Sequence, residues 1–434
     1  MTDQAGRSHP HSRNPESSMI TARLRRPRWL YLAALVPLLV FGAGCSSTTS
    51  AVVERGVVEP VSADVADPAA LQATIDKAFL QNIPADSLNP VIRNTMAVAS
   101  VPFTPELDAV YADCLDNNTC ETGRGSMTVA FANDNVNPWR SIFRAEITAQ
   151  AIASPQVSRF IYNTSTDVAG FLANFRSLVV QQVDVIVINS IYGGAIGPVL
   201  EQAKNAGILV VEAQTPLPAD LAATVSAQVV PDLCQTYAEA GDMIAAAGSS
   251  SETYALYTGI PGNGNAAVWQ PCLDQSMADN GWEKSVEGFT QWTPQGTSQA
   301  ANALLASGEN PGAVVYDYTP EDLVRPFIDR GVTPPVTMSD VVNQSWLTAF
   351  SEARDAGLEP VGFVTNSQVW SGRIAVTAGI MLRAGQDVDQ QMISPNPVVP
   401  VGDILDQMDS SIPASTPVPS LLTPEQIRLA LSAS

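Results

Sequence analysis

The residues best suited to chemistry in this chain are amides, carboxylates and aromatic rings placed where apolar runs end. Asn133, Asp134, Asn137 and Trp139 follow the run Met127–Ala132, and Ser190 and Tyr192 follow Val183–Ile188. Asn263 and Trp269 come next, then Asp317 and Tyr318 after Ala313–Tyr316, Asp340 closing Val336–Asp340, and Asn366 and Gln368 at the end of Gly362–Asn366. Amides and carboxylates hydrogen-bond hydroxyl-rich molecules, and aromatic faces pack on the apolar face of a ring. This is the chemistry of recognition. Bond-breaking chemistry has less to work with, because the only histidines, His9 and His11, precede residue 44. The remainder therefore lacks Ser-His-Asp, Cys-His and the usual zinc ligand sets. A carboxylate-based hydrolase using Asp317 or Asp340 stays open, but the expectation is a protein that is not an enzyme.

Two further motifs are set aside. Gly259-Ile-Pro-Gly-Asn-Gly264 has the glycines of a phosphate loop but lacks the Gly-Lys-Ser/Thr ending whose lysine reaches the phosphates. Asp134, Asp317 and Asp340 do not sit in a closely spaced calcium loop. Neither a metal nor a cofactor is expected.

The expected ligand contacts from this set are Asn133, Asn137, Trp139, Ser190, Tyr192, Asn263, Trp269, Asp317, Asp340 and Asn366. Each has a structural alternative. Trp139 and Trp269 also fit as core aromatics on helix faces. Asp317 and Asp340 also fit as caps of the helices that follow them. Tyr192, beside Gly193-Gly194, also fits as loop packing.

What must position these residues is an alternation of strands and helices. Strand-like runs at Met127–Ala132, Arg159–Tyr162, Val183–Ile188 and Ile208–Ala213 are separated by helical stretches at Trp139–Ile152, Val168–Gln182 and Ala195–Ala206. After Pro231 the pattern restarts: helix Asp232–Ala247, strand Tyr254–Thr258, helix Asn265–Asn280, strand Ser285–Trp292, helix Thr297–Ser307 and strand Ala313–Tyr316. Val336–Asp340, Gly362–Asn366 and a helix at Ser371–Ala384 complete it. Near-continuous Val/Ile runs alternating with helices predict an α/β fold of two doubly wound parallel-sheet lobes joined by a hinge. In such sheets ligands bind beyond the carboxyl ends of the strands, where the polar set stands. The chain is predicted to pass between lobes near Val230, Asn366 and Pro397–Val401. Lobe 1 is then 126–230 plus about 367–396, and lobe 2 is 231–366 plus about 397–408. Residues 45–125 read as a spacer with helices at Pro68–Phe79 and Glu106–Cys120, and 409–434 as a Pro/Ser-rich tail with a helix at Pro424–Leu431.

Ala132-Asn-Asp-Asn-Val-Asn-Pro-Trp-Arg140 resembles the first loop of the class I, ribose-binding-type periplasmic solute-binding proteins of bacterial ABC importers, in their lipoprotein form. Val183-Asp-Val-Ile-Val-Ile-Asn-Ser190 with Ala203-Lys-Asn-Ala-Gly-Ile208, Val314-Val-Tyr-Asp317 and Val336-Thr-Met-Ser-Asp340 resemble later units of the same family, in order. The resemblance spans about Ser126–Leu405. It implies the periplasmic binding protein-like I fold, a small-molecule solute held between the lobes, and an ABC permease as partner of a monomeric protein. It adds Arg140, Gln214 and Gln270 to the expected contacts. Gln214-Thr215 stands where sugar-binding members often carry Asp-Arg, and Trp269-Gln270 where they carry an arginine. Arg140 stands where they have an aromatic. These exchanges favour a sugar or related hydroxylated or cyclic compound other than a standard pentose. The alternative is a sensor subunit using the same lobes to signal through a membrane receptor or kinase.

The start of the chain reads as an export signal. A basic stretch, Arg23-Leu-Arg25-Arg26-Pro-Arg28, precedes an apolar run from Trp29 to Ala43 and the small residues Gly42-Ala43-Gly44. Cys45 follows, so residues 1–44 resemble a bacterial lipoprotein signal, with lipid attachment at Cys45 holding the body to the outer face of the cell membrane. Without Cys45 the cysteines are four: Cys114, Cys120, Cys234 and Cys272. Outside the cytoplasm these form two disulfides, with Cys114–Cys120 the natural local pair. A four-thiolate metal site is the competing reading, without any C-x-x-C pair to support it. Residues 1–44 carry six arginines and two acids, which leaves the rest with 16 basic and 41 acidic residues. With only three lysines in the chain, nucleic acid is excluded as a partner.

Overall fold

The computed structural model describes residues 67–433. Cys45 and the export signal lie outside the described residues. Three helices come first, α1 (Pro68–Phe79), α2 (Pro90–Ala99) and α3 (Pro105–Asp116), each with proline at its start behind an Asp67, Asn89 or Thr104 cap. A short strand β1 (Thr119–Glu121) follows. Lobe 1 continues through β2 (Met127–Asn133), α4 (Pro138–Ala153), β3 (Val157–Thr164), α5 (Val168–Val180), β4 (Val185–Ile188), α6 (Gly197–Asn205), β5 (Leu209–Ala213), α7 (Ala219–Ala222) and β6 (Ala227–Pro231).

Lobe 2 begins at α8 (Leu233–Ala247). It runs through β7 (Thr253–Thr258), α9 (Gly264–Asp279), β8 (Glu283–Phe289), α10 (Pro294–Ser307), β9 (Ala313–Tyr316) and α11 (Glu321–Ile328). Then come β10 (Val336–Ser339), β11 (Val342–Asn343), α12 (Gln344–Asp355) and β12 (Gly362–Val364). The chain returns to lobe 1 for α13 (Ser371–Arg383) and β13 (Gln391–Ser394), adds β14 (Val399–Pro400) to lobe 2, and ends in β15 (Pro417–Val418) and α14 (Pro424–Ser432).

The first sheet has the order β1-β3-β2-β4-β5-β6-β13 and the second β14-β12-β10-β9-β7-β8. All pairings are parallel except those of the edge strands β1 and β14. The order reverses direction on either side of β2 in one sheet and β7 in the other, as in doubly wound folds. Central strands such as Val185–Ile188 are buried throughout, because helices cover both faces. The edge strand β8 shows alternating exposure instead.

The chain crosses between the sheets after β6, after β12 and after β13. The crossings are tied together: the side-chain amides of Asn366 and Gln368 donate to the Pro395 carbonyl at 3.0 and 3.2 Å, and the Thr236 hydroxyl donates to that of Asn396 at 3.0 Å. Ser367 and Gln368 adopt left-handed backbone angles, φ 56° and 49°, a conformation that costs energy outside glycine and persists where the surroundings enforce it.

Two segments differ from the sequence expectation. Residues 68–116 are not a spacer, because Ile75, Phe79, Ile92, Met96 and Tyr111 are buried in the same core as α4 and α13. Residues after 408 are not a loose tail. β15 pairs antiparallel with β11 of lobe 2, and Leu422, Ile427 and Ala430 then enter the lobe 1 core. The segment is thus a fourth link between the lobes. Its prolines do not make it exposed: Pro417 lies in β15, Pro424 starts α14, and residues 416–420 are all buried.

Two disulfides are present among the described residues. Cys114–Cys120 joins α3 to β1, and Cys234–Cys272 joins α8 to α9 across 38 residues. Closing a loop of that size restricts the unfolded chain, so the double variant Cys234→Ser/Cys272→Ser should lose about 2–4 kcal/mol of unfolding free energy. Urea unfolding monitored by circular dichroism checks this.

Candidate functional site

Between the carboxyl ends of the two sheets lies a cleft with about 570 Å³ of empty space, open mouth included. On the lobe 1 side, Asn137 caps α4 by accepting from the Arg140 backbone N–H at 2.8 Å, and Pro138 starts the helix. That cap fixes Trp139 and Arg140 at the cleft. Arg140 pairs with the buried Asp134 (Nη2–Oδ1 2.9 Å) and donates from Nη1 to the Asn189 carbonyl at 3.1 Å. Asp134 Oδ2 accepts from the Ile191 N–H at 2.6 Å, which fastens the loop after β4. Trp139 stacks on Phe143 with centroids 4.8 Å apart and donates its indole N–H to the Ser367 carbonyl at 2.8 Å. It lines the cleft while also packing in lobe 1 and touching the hinge. Asn189 and Gln214 are joined by an amide–amide bond of 2.9 Å, and the Thr215 hydroxyl donates to Asn189 Oδ1 at 3.1 Å.

On the lobe 2 side, Asp317 follows β9. Its Oδ2 accepts from Asn263 Nδ2 and its Oδ1 from Trp292 Nε1, both at 2.9 Å. Asp340 follows β10 and accepts from the Thr365 hydroxyl at 3.1 Å. Neither aspartate caps a helix: α11 starts behind Pro320, and α12 is capped by Asn343. Burial, with the neighbouring Asp340 charge adding to it, pushes the Asp317 carboxyl up to about 7 against the opposing hydrogen bonds. Burial alone pushes Asp340 up to about 6. Trp269 is buried and stacks on Tyr237 at 4.2 Å, so it serves the core and the cleft wall together. Trp292 lies directly over Gly259, where any Cβ would stand 2.0 Å from the indole ring. Its backbone is left-handed at φ 51°, strain of the kind that collects at ligand-binding sites.

Of the expected contacts, Asn137, Trp139, Arg140, Gln214, Asn263, Trp269, Asp317 and Asp340 meet in this cleft. The other five do not line it. Asn133, the last residue of β2, points into lobe 1 and donates to Tyr162 Oη at 3.0 Å and Thr164 Oγ1 at 3.2 Å. Ser190 accepts from the Tyr192 backbone N–H at 3.3 Å. Tyr192 packs on Phe171 and donates its hydroxyl to the Asp134 carbonyl at 3.0 Å, which is the loop-packing alternative. Gln270, one residue past Trp269, is turned about 100° around α9 from it. Asn366 belongs to the hinge. Residues the sequence reading left out also line the cleft: Asn135, Asn189, Ile191, Asn265, Trp292 and Val341, together with Tyr318 from the strand-end set. Among the described residues no group of three His, Cys, Asp or Glu side chains is placed to hold a metal ion.

Two lobes, three crossings and a polar cleft lined by aromatics define the two-lobe binding proteins. Residues 129–387 match the model of the periplasmic binding protein domain family, and the chain belongs to that family. It is a family of non-enzymatic solute-binding proteins of ABC transporters. Solved structures of similar fold include an ABC transporter solute-binding protein from Bacillus halodurans C-125 with bound myo-inositol. That protein is 15% identical, with TM-score 0.56, over 65% of this chain and 98% of that one. The arabinose ABC transporter component from Shewanella sp. ANA-3, bound to α- and β-L-arabinofuranose, is 18% identical with TM-score 0.57, over 65% and 95% of the two chains. A solute-binding protein from Thermobispora bispora DSM 43833 is 18% identical with TM-score 0.58, over 70% and 94%. No curated protein matches the sequence.

Proposed function

We propose that this protein captures a small hydroxylated or cyclic solute in the interlobe cleft and delivers it to an ABC importer, while a lipid on Cys45 holds it at the outer face of the cell membrane. The observation that carries the reading is the cleft itself. Asp317 and Asp340 face Asn137, Arg140 and Gln214 across a space lined by Trp139, Trp269, Trp292 and Tyr318. Hydrogen-bonding side chains interleaved with aromatic faces suit a polar ring. The solute bridges the lobes, so binding favours the closed state.

Thermal denaturation of the purified protein, stripped of co-purified molecules, against a panel of sugars and polyols tests this. A true ligand at 100 times its dissociation constant should add about 2.7 kcal/mol of stability. A panel-wide absence of response would sink the reading. Labelled-solute uptake that is lost in a Cys45→Ala strain would support the anchored, importer-linked role.

A further inference from the structure

The two walls of the cleft differ in what they leave for a ligand. On the lobe 2 wall two of the donors are already used. Asn263 Nδ2 and Trp292 Nε1 both donate to Asp317, and Asn263 Oδ1 accepts from the Asn265 N–H at 3.0 Å. What remains there is mostly accepting capacity: the carboxylate lone pairs of Asp317 and Asp340, and Asn265 Oδ1, which is buried and without a partner among the described residues, with the Asn265 amide nitrogen the one side-chain amide donor beside them. Among the described residues no lysine or arginine lines this wall, and the one cation lining the cleft, Arg140, is committed to Asp134 and the Asn189 carbonyl on the other side.

The lobe 1 wall has the opposite character. The side-chain oxygens of Asn135, Asn137 and Gln214 accept from the Val136 N–H, the Arg140 N–H and Asn189 Nδ2. Their amide nitrogens make no hydrogen bond among the described residues, so this wall offers donors.

A solute fitting both walls presents acceptors to lobe 1 and donors to lobe 2. Hydroxyl groups satisfy the hydrogen bonds but leave the ionised form of these two buried carboxyls without a counter-charge in a desolvated wall, an unfavourable arrangement. A protonated amine supplies the donors and the charge together, and the indoles of Trp269 and Trp292 on the same wall add cation–π attraction. Accepting the cleft as a solute site, we propose that its ligand is a small hydroxylated ring bearing an amino group, with the ammonium held by Asp317 and Asp340 and a hydroxylated edge by Asn137 and Gln214.

Calorimetric titration at pH 7 with matched pairs tests this: glucosamine against glucose, galactosamine against galactose, an aminocyclitol against myo-inositol, and N-acetylglucosamine as the neutralised amine. The amine should bind tighter than its neutral partner by about tenfold or more in at least one pair, and acetylation should remove the gain. The Asp340→Asn variant should erase the preference, the amine and its neutral partner then binding the variant with similar affinity. Equal or tighter binding of the neutral partners overturns the amine assignment and leaves the hydroxylated-solute reading intact. A protein that binds neither member of any pair overturns both.

Discussion

Replacing Glu146 by alanine should cost about 3–5 kcal/mol of unfolding free energy, the loss typical of breaking a buried ion pair from one side. Glu146 is fully buried on α4. Its carboxylate pairs with Arg373 Nε of α13 through Oε2, while Oε1 accepts from the Ser420 hydroxyl and the Leu421 N–H, both at 2.7 Å. Alanine leaves the Arg373 charge buried and alone, and it unfastens the last segment of the chain from lobe 1. Urea unfolding should show a lower midpoint with an unchanged denaturant slope, provided the fold is otherwise intact. The paired variant Glu146→Leu/Arg373→Met should recover most of the loss, since removing both charges leaves neither stranded. A double variant as unstable as the single one would refute this account.

The solute-free protein should be more stable at pH 5 than at pH 8, by about 2–4 kcal/mol from the cleft carboxyls. Asp317 is raised to about 7 and Asp340 to about 6, above the value of about 3.9 for an unfolded aspartate. Between these limits the folded chain holds more protons than the unfolded one. The contribution is therefore full below pH 4 and lost as the pH rises through 6 and 7. Glu212, buried beneath the cleft in β5, is also pushed well up by burial and by Asp134, and it acts in the same direction. Midpoints of thermal unfolding across this range check the expectation, and the Asp317→Asn/Asp340→Asn variant should flatten the profile. A wild-type profile that falls steadily on acidification from pH 8 to pH 5 would contradict it.

The lobes were legible in the sequence because buried parallel strands carry an unmistakable pattern. Val185-Ile-Val-Ile188 and Ala313-Val-Val-Tyr316 admit little else. Residues just beyond strands were legible for the same reason, and Asn137, Asp317 and Asp340 fall there. Where a side chain's fate depends on one residue of phase, the reading failed. Asn133 closes β2 instead of following it, and strand alternation turns it into lobe 1. Trp292 was hidden inside a presumed strand, Ser285–Trp292. The strand stops at Phe289, and Gln291 and Trp292 take left-handed angles that nothing in non-glycine residues announces. The helices at Pro68–Phe79 and Pro105–Asp116 were legible, but α2 and the burial of residues 68–116 and of the end of the chain were missed because proline reads as a breaker. Here it starts helices or lies in a covered strand.

The strap that ends in α14 also sets an order of assembly. Lobe 2 draws its sheet from one stretch, residues 253–364, plus the edge strand β14. Lobe 1 needs α1 to β6, then α13 and β13, then α14, so Glu146 and its last partner, Leu421, lie 275 residues apart in sequence. A chain emerging amino end first can thus finish the lobe it begins second before the lobe it begins first. Until Ser420 and Leu421 arrive, α4 holds a carboxylate whose complement is unfinished, and the earlier lobe stays incomplete.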